Sequence, residues 1–311
     1  MLKFFNKTRG KSGMVGLYAT PENLTLAFVS RQRGALELSV CEEVAASGAE
    51  ARAAALETLV KKHQLENTPT TFVLSPNDYK LLLVEAPNVE TDELAGAVKW
   101  KIKDLVGHPI EEMAITVFDV PEGAYRSQAN MVYAVAARKT RIKDIVELVF
   151  GAQLDLAAID IPELVMMNLT SACIDDGEGL AFLDLREDGS TLNLMRKGEI
   201  YLTRRLNTRL DNHVMNSHEW DSIRERLVME IQRSLDYYQS QMGQSLIPRI
   251  VIAPRPTDAD RLTRELHDAL AVNVETLNIP QSIRTSQALP MELQQSCMMA
   301  IGGAMRDGVA A

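Results

Sequence analysis

The feature that most constrains the fold of this 311-residue chain is an order of predicted elements that occurs twice. Each half predicts three short strands joined by tight turns, followed by helix, strand, helix, strand and helix. A meander followed by helical crossovers predicts a mixed sheet, antiparallel at first and parallel afterwards. In the first half the predicted elements are strands 14–18, 24–30, 36–41, 71–74 and 154–159 and helices 51–63, 141–150 and 162–173.

The second half repeats this order with different residues. The turns Asp188-Gly189 and Lys197-Gly198 are typical of hairpins. Two halves of the same element order predict an α/β fold built from two related lobes. The predicted elements here are strands 180–185, 191–195, 199–206, 249–253 and 272–277 and helices 220–242, 258–270 and 291–305.

One segment, 76–140, interrupts the repetition after strand 71–74. It predicts a strand, a helix and two further strands, and Pro87 and Pro109 bracket the helix. This order indicates a βαββ insert subdomain in the first lobe. The predicted domains are a flexible basic tail 1–13, a first lobe of 14–75, 141–175 and 298–311, the insert 76–140, and a second lobe 176–297.

Composition and charge exclude several classes of protein. The 33 Lys and Arg against 42 Asp and Glu give a net charge of −9, which argues against a general nucleic-acid-binding protein. Three widely spaced cysteines and five scattered histidines predict no disulfide framework and no metal site. No apolar run approaches the roughly 20 residues that span a bilayer. We therefore expect a cytoplasmic protein without a membrane span.

Several stretches resemble the actin-like ATPase superfamily, and in particular its FtsA-like and PilM-like branch, which carries a βαββ insert. Residues 14–29, MVGLYATPENLTLAFV, resemble the first phosphate-binding hairpin, and residues 181–194, AFLDLREDGSTLNL, resemble the second. Residues 230–238 and 249–253 are similar to the helix and strand before the adenosine loop, and residues 300–306, AIGGAMR, to the closing helix. With its Leu-Lys-Phe-Phe start, the chain is most similar to the MshI family, the PilM-like proteins of mannose-sensitive haemagglutinin (MSHA) type IV pilus biogenesis.

The resemblance implies an actin-like, ribonuclease H-like duplicated fold and a binding function. Such a protein works in the cytoplasm, peripheral to the inner membrane. It grips the N-terminal cytoplasmic tail of a PilN-like inner-membrane protein and contacts the pilus assembly ATPase. The groove for the tail is expected between the insert and the first lobe. The basic tail 1–13 is a solubilising terminus or, alternatively, a weak contact with a membrane or partner.

Three residues of the insert are candidates for the partner groove. Leu81 and Leu83 lie on a predicted edge strand, where an extended peptide can add as a further strand. Trp100 lies on the neighbouring predicted helix. Packing in the subdomain core is the more ordinary role for a tryptophan at this position and is the alternative reading.

The nucleotide site that the resemblance implies is altered in its first hairpin and its adenosine loop. The usual Asp-x-Gly of the hairpin is Tyr18-Ala19-Thr20 here, so a metal-directed carboxylate and a glycine that admits phosphate are both missing. The Gly-Gly expected in the adenosine loop is replaced by Ala253-Pro-Arg255-Pro. Proline fixes φ and removes backbone donors, which opposes a flexible nucleotide cradle.

The second hairpin keeps Asp184, Gly189 and Thr191, but Glu187 and Asp188 add negative charge that would repel a triphosphate. Asp-Gly is also an ordinary hairpin turn without any ligand. The candidate residues of this degenerate cleft are Tyr18, Thr20, Asp184, Asp188, Gly189, Thr191, Ala253, Arg255 and Gly302.

We therefore expect a scaffold that acts by binding and not by catalysis, with no required cofactor and with weakened binding of ATP and Mg²⁺. A nucleotide-switched PilM-like ATPase of the pilus platform is the first alternative. An FtsA-like division or polymer-forming protein is the second. Residues 306–311 disfavour it, because that lineage usually ends in an amphipathic membrane helix.

Overall fold

The computed structural model describes residues 10–32, 35–126, 130–187, 189–210 and 214–306. In chain order its elements begin with β1 (Met14–Ala19), β2 (Asn23–Gln32), β3 (Ala35–Ala45), α1 (Ala49–His63), β4 (Pro69–Val73), β5 (Tyr79–Glu85), α2 (Thr91–Lys101), β6 (Met113–Asp119), β7 (Met131–Arg138), α3 (Lys139–Gly151), β8 (Asp155–Asp160) and α4 (Pro162–Cys173). They continue with β9 (Leu180–Asp184), β10 (Ser190–Arg196), β11 (Glu199–Leu206), α5 (Trp220–Ser240), β12 (Arg249–Ile252), α6 (Ala259–Leu270), β13 (Asn273–Thr276), α7 (Ile279–Ser282), β14 (Arg284–Thr285) and α8 (Met291–Ala304).

The first unit of the chain comprises Met1–Ser75, Lys143–Val165 and Ile283–Ala311. Its sheet has the strand order β14-β3-β2-β1-β4-β8, antiparallel from β3 to β1 and parallel from β1 to β8. Helix α8 packs directly on β1, and a Cβ on Gly16 would lie 1.8 Å from the carbonyl oxygen of Ala300. Glycine is required there because only a residue without a side chain allows helix and strand to approach so closely.

The second unit comprises Pro76–Ile142 and Met166–Ser282. Its main sheet has the order β11-β10-β9-β12-β13, again antiparallel through the first three strands and parallel through the rest. The β10–β11 turn places Lys197 at φ 52° and Gly198 at φ 73°, the pair of positive values that a tight hairpin needs. The two main sheets thus share one strand pattern, which confirms the predicted duplication.

The insert forms a separate antiparallel sheet of order β5-β7-β6, with α2 packed on one face. Val98 of α2 and Ile102, which follows the helix directly, are fully buried in one cluster with Val132 and Ala134 of β7. Leu82 belongs to the same cluster, so the even-numbered residues of β5 face α2. Leu81 and Leu83 therefore face the opposite side of the sheet.

Two features of the observed division differ from the predicted domain boundaries. The segment from Ile283 joins the first unit because β14 pairs with β3, with Thr285 opposite Leu38. The insert joins the second unit, where the backbone N–H of Thr203 donates to the Tyr133 hydroxyl at 3.0 Å.

Among the described residues, no helix is both long and apolar enough to cross a bilayer.

Candidate functional site

The first candidate hairpin, between β1 and β2, is closed by its own hydrogen bonds. The N–H of Thr20 donates to the carbonyl of Asn23 at 2.9 Å, and the N–H of Asn23 donates to the Thr20 hydroxyl at 3.0 Å. Arg52 donates to the carbonyls of Thr20 and Pro21 at 2.8 and 3.1 Å. Two N–H groups that a phosphate-binding turn would offer to a ligand are therefore engaged within the hairpin.

Tyr18 is buried, with 2% of its surface exposed. On the sheet it lies beside Val73 of β4, and Val73 lies beside Asp160 of β8. Asp160 therefore places a carboxylate at the C-terminal end of β8, in register with Tyr18 on β1. Sequence reasoning missed Asp160, although an aspartate that ends a strand and precedes a helix-starting proline was a usable signal.

Asp160 is held by contacts within the first unit. Its Oδ2 atom lies 2.5 Å from Nη1 of Arg306, and its Oδ1 atom accepts from the N–H of Ile161 at 2.9 Å. Burial raises the pKa of Asp160, and the guanidinium of Arg306 opposes this shift. The carboxylate is therefore already paired with a cation of the same chain.

The second candidate hairpin, between β9 and β10, also has an aspartate that is paired with an arginine of the same unit. Asp184 and Thr191 are both buried and lie opposite each other in the antiparallel ladder. Oδ2 of Asp184 accepts from Nε of Arg186 at 2.8 Å. Gly189 has a φ of 141°, and a Cβ there would meet nothing within 4 Å. Asp188 lies outside the described residues.

The remaining candidates for the nucleotide cleft are buried residues in two different units. Ala253 and Arg255 follow β12 in the second unit and are 5% and 3% exposed. A long buried side chain thus stands where the resemblance expects glycine. Gly302 lies within α8 of the first unit, and its neighbour Gly303 is needed for packing, since a Cβ there would lie 2.9 Å from Cγ2 of Val73.

The described residues contain no cluster of three or more His, Cys, Asp or Glu side chains placed to bind a metal ion. A hard cation such as Mg²⁺ needs several oxygen ligands. Asp160 and Asp184, the carboxylates at the ends of β8 and β9, each accept instead from an arginine of their own unit.

The candidate partner residues Leu81 and Leu83 lie on β5, which is an edge strand. The N–H of Ala86 donates to the carbonyl of Asn130, so the ladder with β7 is made by even-numbered residues. The N–H and C=O groups of Leu81 and Leu83 consequently point away from β7. Within the described chain no strand pairs with this side of β5, which leaves an edge for strand addition.

Trp100 does not join Leu81 and Leu83. Its helix α2 covers the other face of the insert sheet, and the Trp100 side chain is 62% exposed. The alternative reading of Trp100 as a core residue is wrong. The tryptophan follows the buried Val98 by two positions, about 200° around the helix, and so points away from the sheet.

Comparison with solved structures places this architecture in the actin-like ATPase fold. A protein with that fold from Bacteroides thetaiotaomicron matches with a TM-score of 0.52 and 9% identity, over 94% of this chain and 99% of that one. The PilM–PilN type IV pilus biogenesis complex matches with a TM-score of 0.72 and 20% identity, over 94% of this chain and 98% of that one. The predicted fold class is confirmed.

A third match is the cytoplasmic domain of EpsL, an inner-membrane component of the type II secretion system of Vibrio cholerae. Its TM-score is 0.50 at 11% identity, over 92% of this chain and 94% of that one. The sequence matches no family model and no curated protein. At these identities the comparisons define the fold.

Proposed function

We propose that this protein is a PilM-like scaffold of type IV pilus assembly that binds the N-terminal tail of a PilN-like inner-membrane protein. The observation that carries the proposal is the match to the PilM–PilN complex over nearly the whole length of both chains. The family we assign is MshI, of MSHA-type pili, because of the sequence resemblance. The protein would act at the cytoplasmic face of the inner membrane through its partners.

The open edge of β5 supports a peptide-binding role. Main-chain groups of Leu81 and Leu83 would pair with an extended tail, and their side chains would contact its alternate residues. Lys101 Nζ already donates to the carbonyl of Glu85 at 2.9 Å, which closes one end of this edge. The segment that accepts the tail would thus be short and defined in register.

A proline at position 83 tests this edge. Because the Leu83 N–H points away from β7, proline there preserves the β5–β7 ladder and removes a donor that an added strand needs. We expect Leu83→Pro to weaken binding of a fluorescent PilN-like tail peptide by at least about tenfold. The matched control is Asp119→Pro, on the opposite edge strand β6 and with its N–H also directed away from β7. Equal affinity of Leu83→Pro and Asp119→Pro would refute the β5 site.

We further propose that the nucleotide site is degenerate and the protein a pseudo-ATPase. The self-closed β1–β2 turn and the arginine partners of Asp160 and Asp184 support this. Isothermal titration calorimetry should give no saturable binding of Mg-ATP at micromolar concentration. Such binding, or a tail affinity that changes with added Mg-ATP, would instead support the nucleotide-switched ATPase.

A further inference from the structure

The strongest feature outside the proposed peptide edge is an exposed apolar surface at the end of α2. Trp100 and Leu105 are 62% and 54% exposed. Gly96, one turn before Trp100, is also exposed, and a Cβ there would meet nothing within 4 Å. A large aromatic ring thus projects from an open helix face, whereas the apolar face of the same helix is already buried on the insert sheet.

The segment that contains Trp100 and Leu105 has an excess of positive charge, whereas the acidic residues of α2, Asp92 and Glu93, lie in its first turn. Lys99 and Lys101 are the sequence neighbours of Trp100, and Lys103 follows two residues later. Asp104 is the only acidic residue in 99–108, so this segment carries three positive charges and one negative charge. Nζ of Lys99 lies 6.0 Å from the centroid of the Trp100 ring. Lys99, Trp100, Lys101, Lys103 and Leu105 are called the Trp100 patch below.

A further lysine extends the charge of the Trp100 patch. Nζ of Lys80 donates to the carbonyl of Leu105 at 3.0 Å, which places an additional ammonium group beside this exposed leucine. The local excess of positive charge contrasts with the net −9 of the whole chain. A partner for this surface must therefore be anionic and must also accept two apolar side chains.

We propose that the Trp100 patch docks on a bilayer surface that contains anionic phospholipid. Tryptophan rings are enriched at the level of lipid headgroups, and clustered lysines on a helix attract anionic lipids. Protein–protein interfaces, by contrast, favour arginine and are depleted in lysine. The segment 99–108 has lysines and no arginine, so its chemistry favours lipid over an acidic protein segment.

The lipid contact goes beyond the proposed partner binding and does not depend on it. The tail would add along the edge of β5, with the side chains of Leu81 and Leu83 on the face away from α2, whereas Trp100 projects from α2 on the opposite side. Lys101, whose Nζ donates to the Glu85 carbonyl, adjoins the β5 edge. Each lysine near an anionic surface contributes about a fivefold increase in partitioning. The patch alone would give weak, reversible and salt-sensitive binding.

The test uses the full chain, without any partner, and vesicles of phosphatidylcholine with or without phosphatidylserine. Sedimentation should show binding only when phosphatidylserine is present, and salt should reverse it. Tryptophan fluorescence reports the site directly, because the other tryptophan, Trp220, is 2% exposed and donates to Glu265. Emission should shift to the blue on binding and be quenched by brominated lipid, and Trp100→Ala should abolish both effects.

Substitutions in the patch supply the quantitative test. Trp100→Ala should lower partitioning about tenfold, and Lys99→Gln with Lys103→Gln about 25-fold. The control for the aromatic change is Phe150→Ala, an aromatic that is 60% exposed on α3. The control for the charge change replaces by glutamine two lysines outside the insert, Lys61 and Lys143, whose side chains are 64% and 74% exposed.

The controls should bind vesicles like the wild type. Absence of binding to phosphatidylserine vesicles would overturn the proposal, as would equal losses in the control variants. Polyglutamate serves as a probe for an acidic protein segment. If the patch variants lost binding to polyglutamate but kept binding to vesicles, the patch would be assigned to an acidic protein segment and the lipid proposal would be wrong. Because partner peptide is absent from these assays, their failure leaves the proposed tail binding unaffected.

Discussion

Replacing Arg306 by methionine tests the pairing that holds the carboxylate at the end of β8. Arg306 Nη1 lies 2.5 Å from Asp160 Oδ2, with side-chain exposures of 35% and 1%. Removal of one partner of a buried pair costs about 3–5 kcal/mol. Because water can replace part of the exposed arginine, we expect Arg306→Met to lower the free energy of unfolding by about 2–3 kcal/mol.

The double variant Asp160→Asn, Arg306→Met separates the charge from the packing. Asparagine keeps an acceptor for the N–H of Ile161 but leaves no buried charge. We expect the double variant to be more stable than Arg306→Met by at least about 1 kcal/mol, the coupling typical of residues in direct contact. Urea unfolding measures both differences, and amide exchange of Ile161 reports the local opening.

The pH dependence gives an independent check. Burial raises the pKa of Asp160 above its ordinary value, and removal of Arg306 takes away the group that opposes this shift. A carboxyl whose folded-state pKa is raised favours folding at low pH and loses that contribution as pH rises through the folded-state pKa. The defect of Arg306→Met should therefore be larger at about pH 7 than at about pH 4. Wild-type stability of Arg306→Met at neutral pH, or a double variant no more stable than the single, would refute the reasoning.

Two further predictions concern other buried or half-buried groups. Glu230 accepts four hydrogen bonds from Asn207 and Thr208, which hold its pKa below the ordinary value although partial burial acts in the opposite direction. The stability that the Glu230 carboxylate contributes is present above the ordinary carboxyl pKa and is lost as pH falls through the lowered pKa. Glu230→Gln should therefore lower the free energy of unfolding by about 1 kcal/mol at neutral pH. In urea titrations the variant should also lose less stability than the wild type as pH falls. For the thiols, burial raises the pKa of Cys173 to about 11, and a hydrogen bond with Cys297 followed by burial raises that of Cys41. An aromatic disulfide reagent should label neither thiol in the native protein at about pH 8, and rapid native labelling would contradict this.

The duplicated fold could be predicted because its signals are local. Apolar alternation, helical spacing and turns such as Lys197-Gly198 each depend on a few neighbouring residues, and together they define the element order. Strand β14 escaped prediction because it has only two residues, and its pairing with β3 spans almost the whole chain. Short strands that exist only through a distant partner leave no periodic pattern in sequence.

The site residues show the same limit. Tyr18 and Thr20, where the resemblance expects aspartate and glycine, could be read directly from the sequence, but the hydrogen bonds that close their turn could not. The pairing of Asp160 with Arg306 joins residues 146 positions apart. Trp100 was ambiguous because its exposure depends on the rotation of α2 about its axis, which is fixed by Val98 and Ile102 packing on the sheet.

The insert is where the two proposed interactions meet, and its geometry decides how they combine. The tail would add along the edge of β5, and Trp100 projects from the helix that covers one face of the same sheet, so the two ligands would lie side by side on the insert. A tail anchored in the membrane would hold the Trp100 patch close to the lipid surface. The second contact then becomes effectively intramolecular, and two weak affinities multiply.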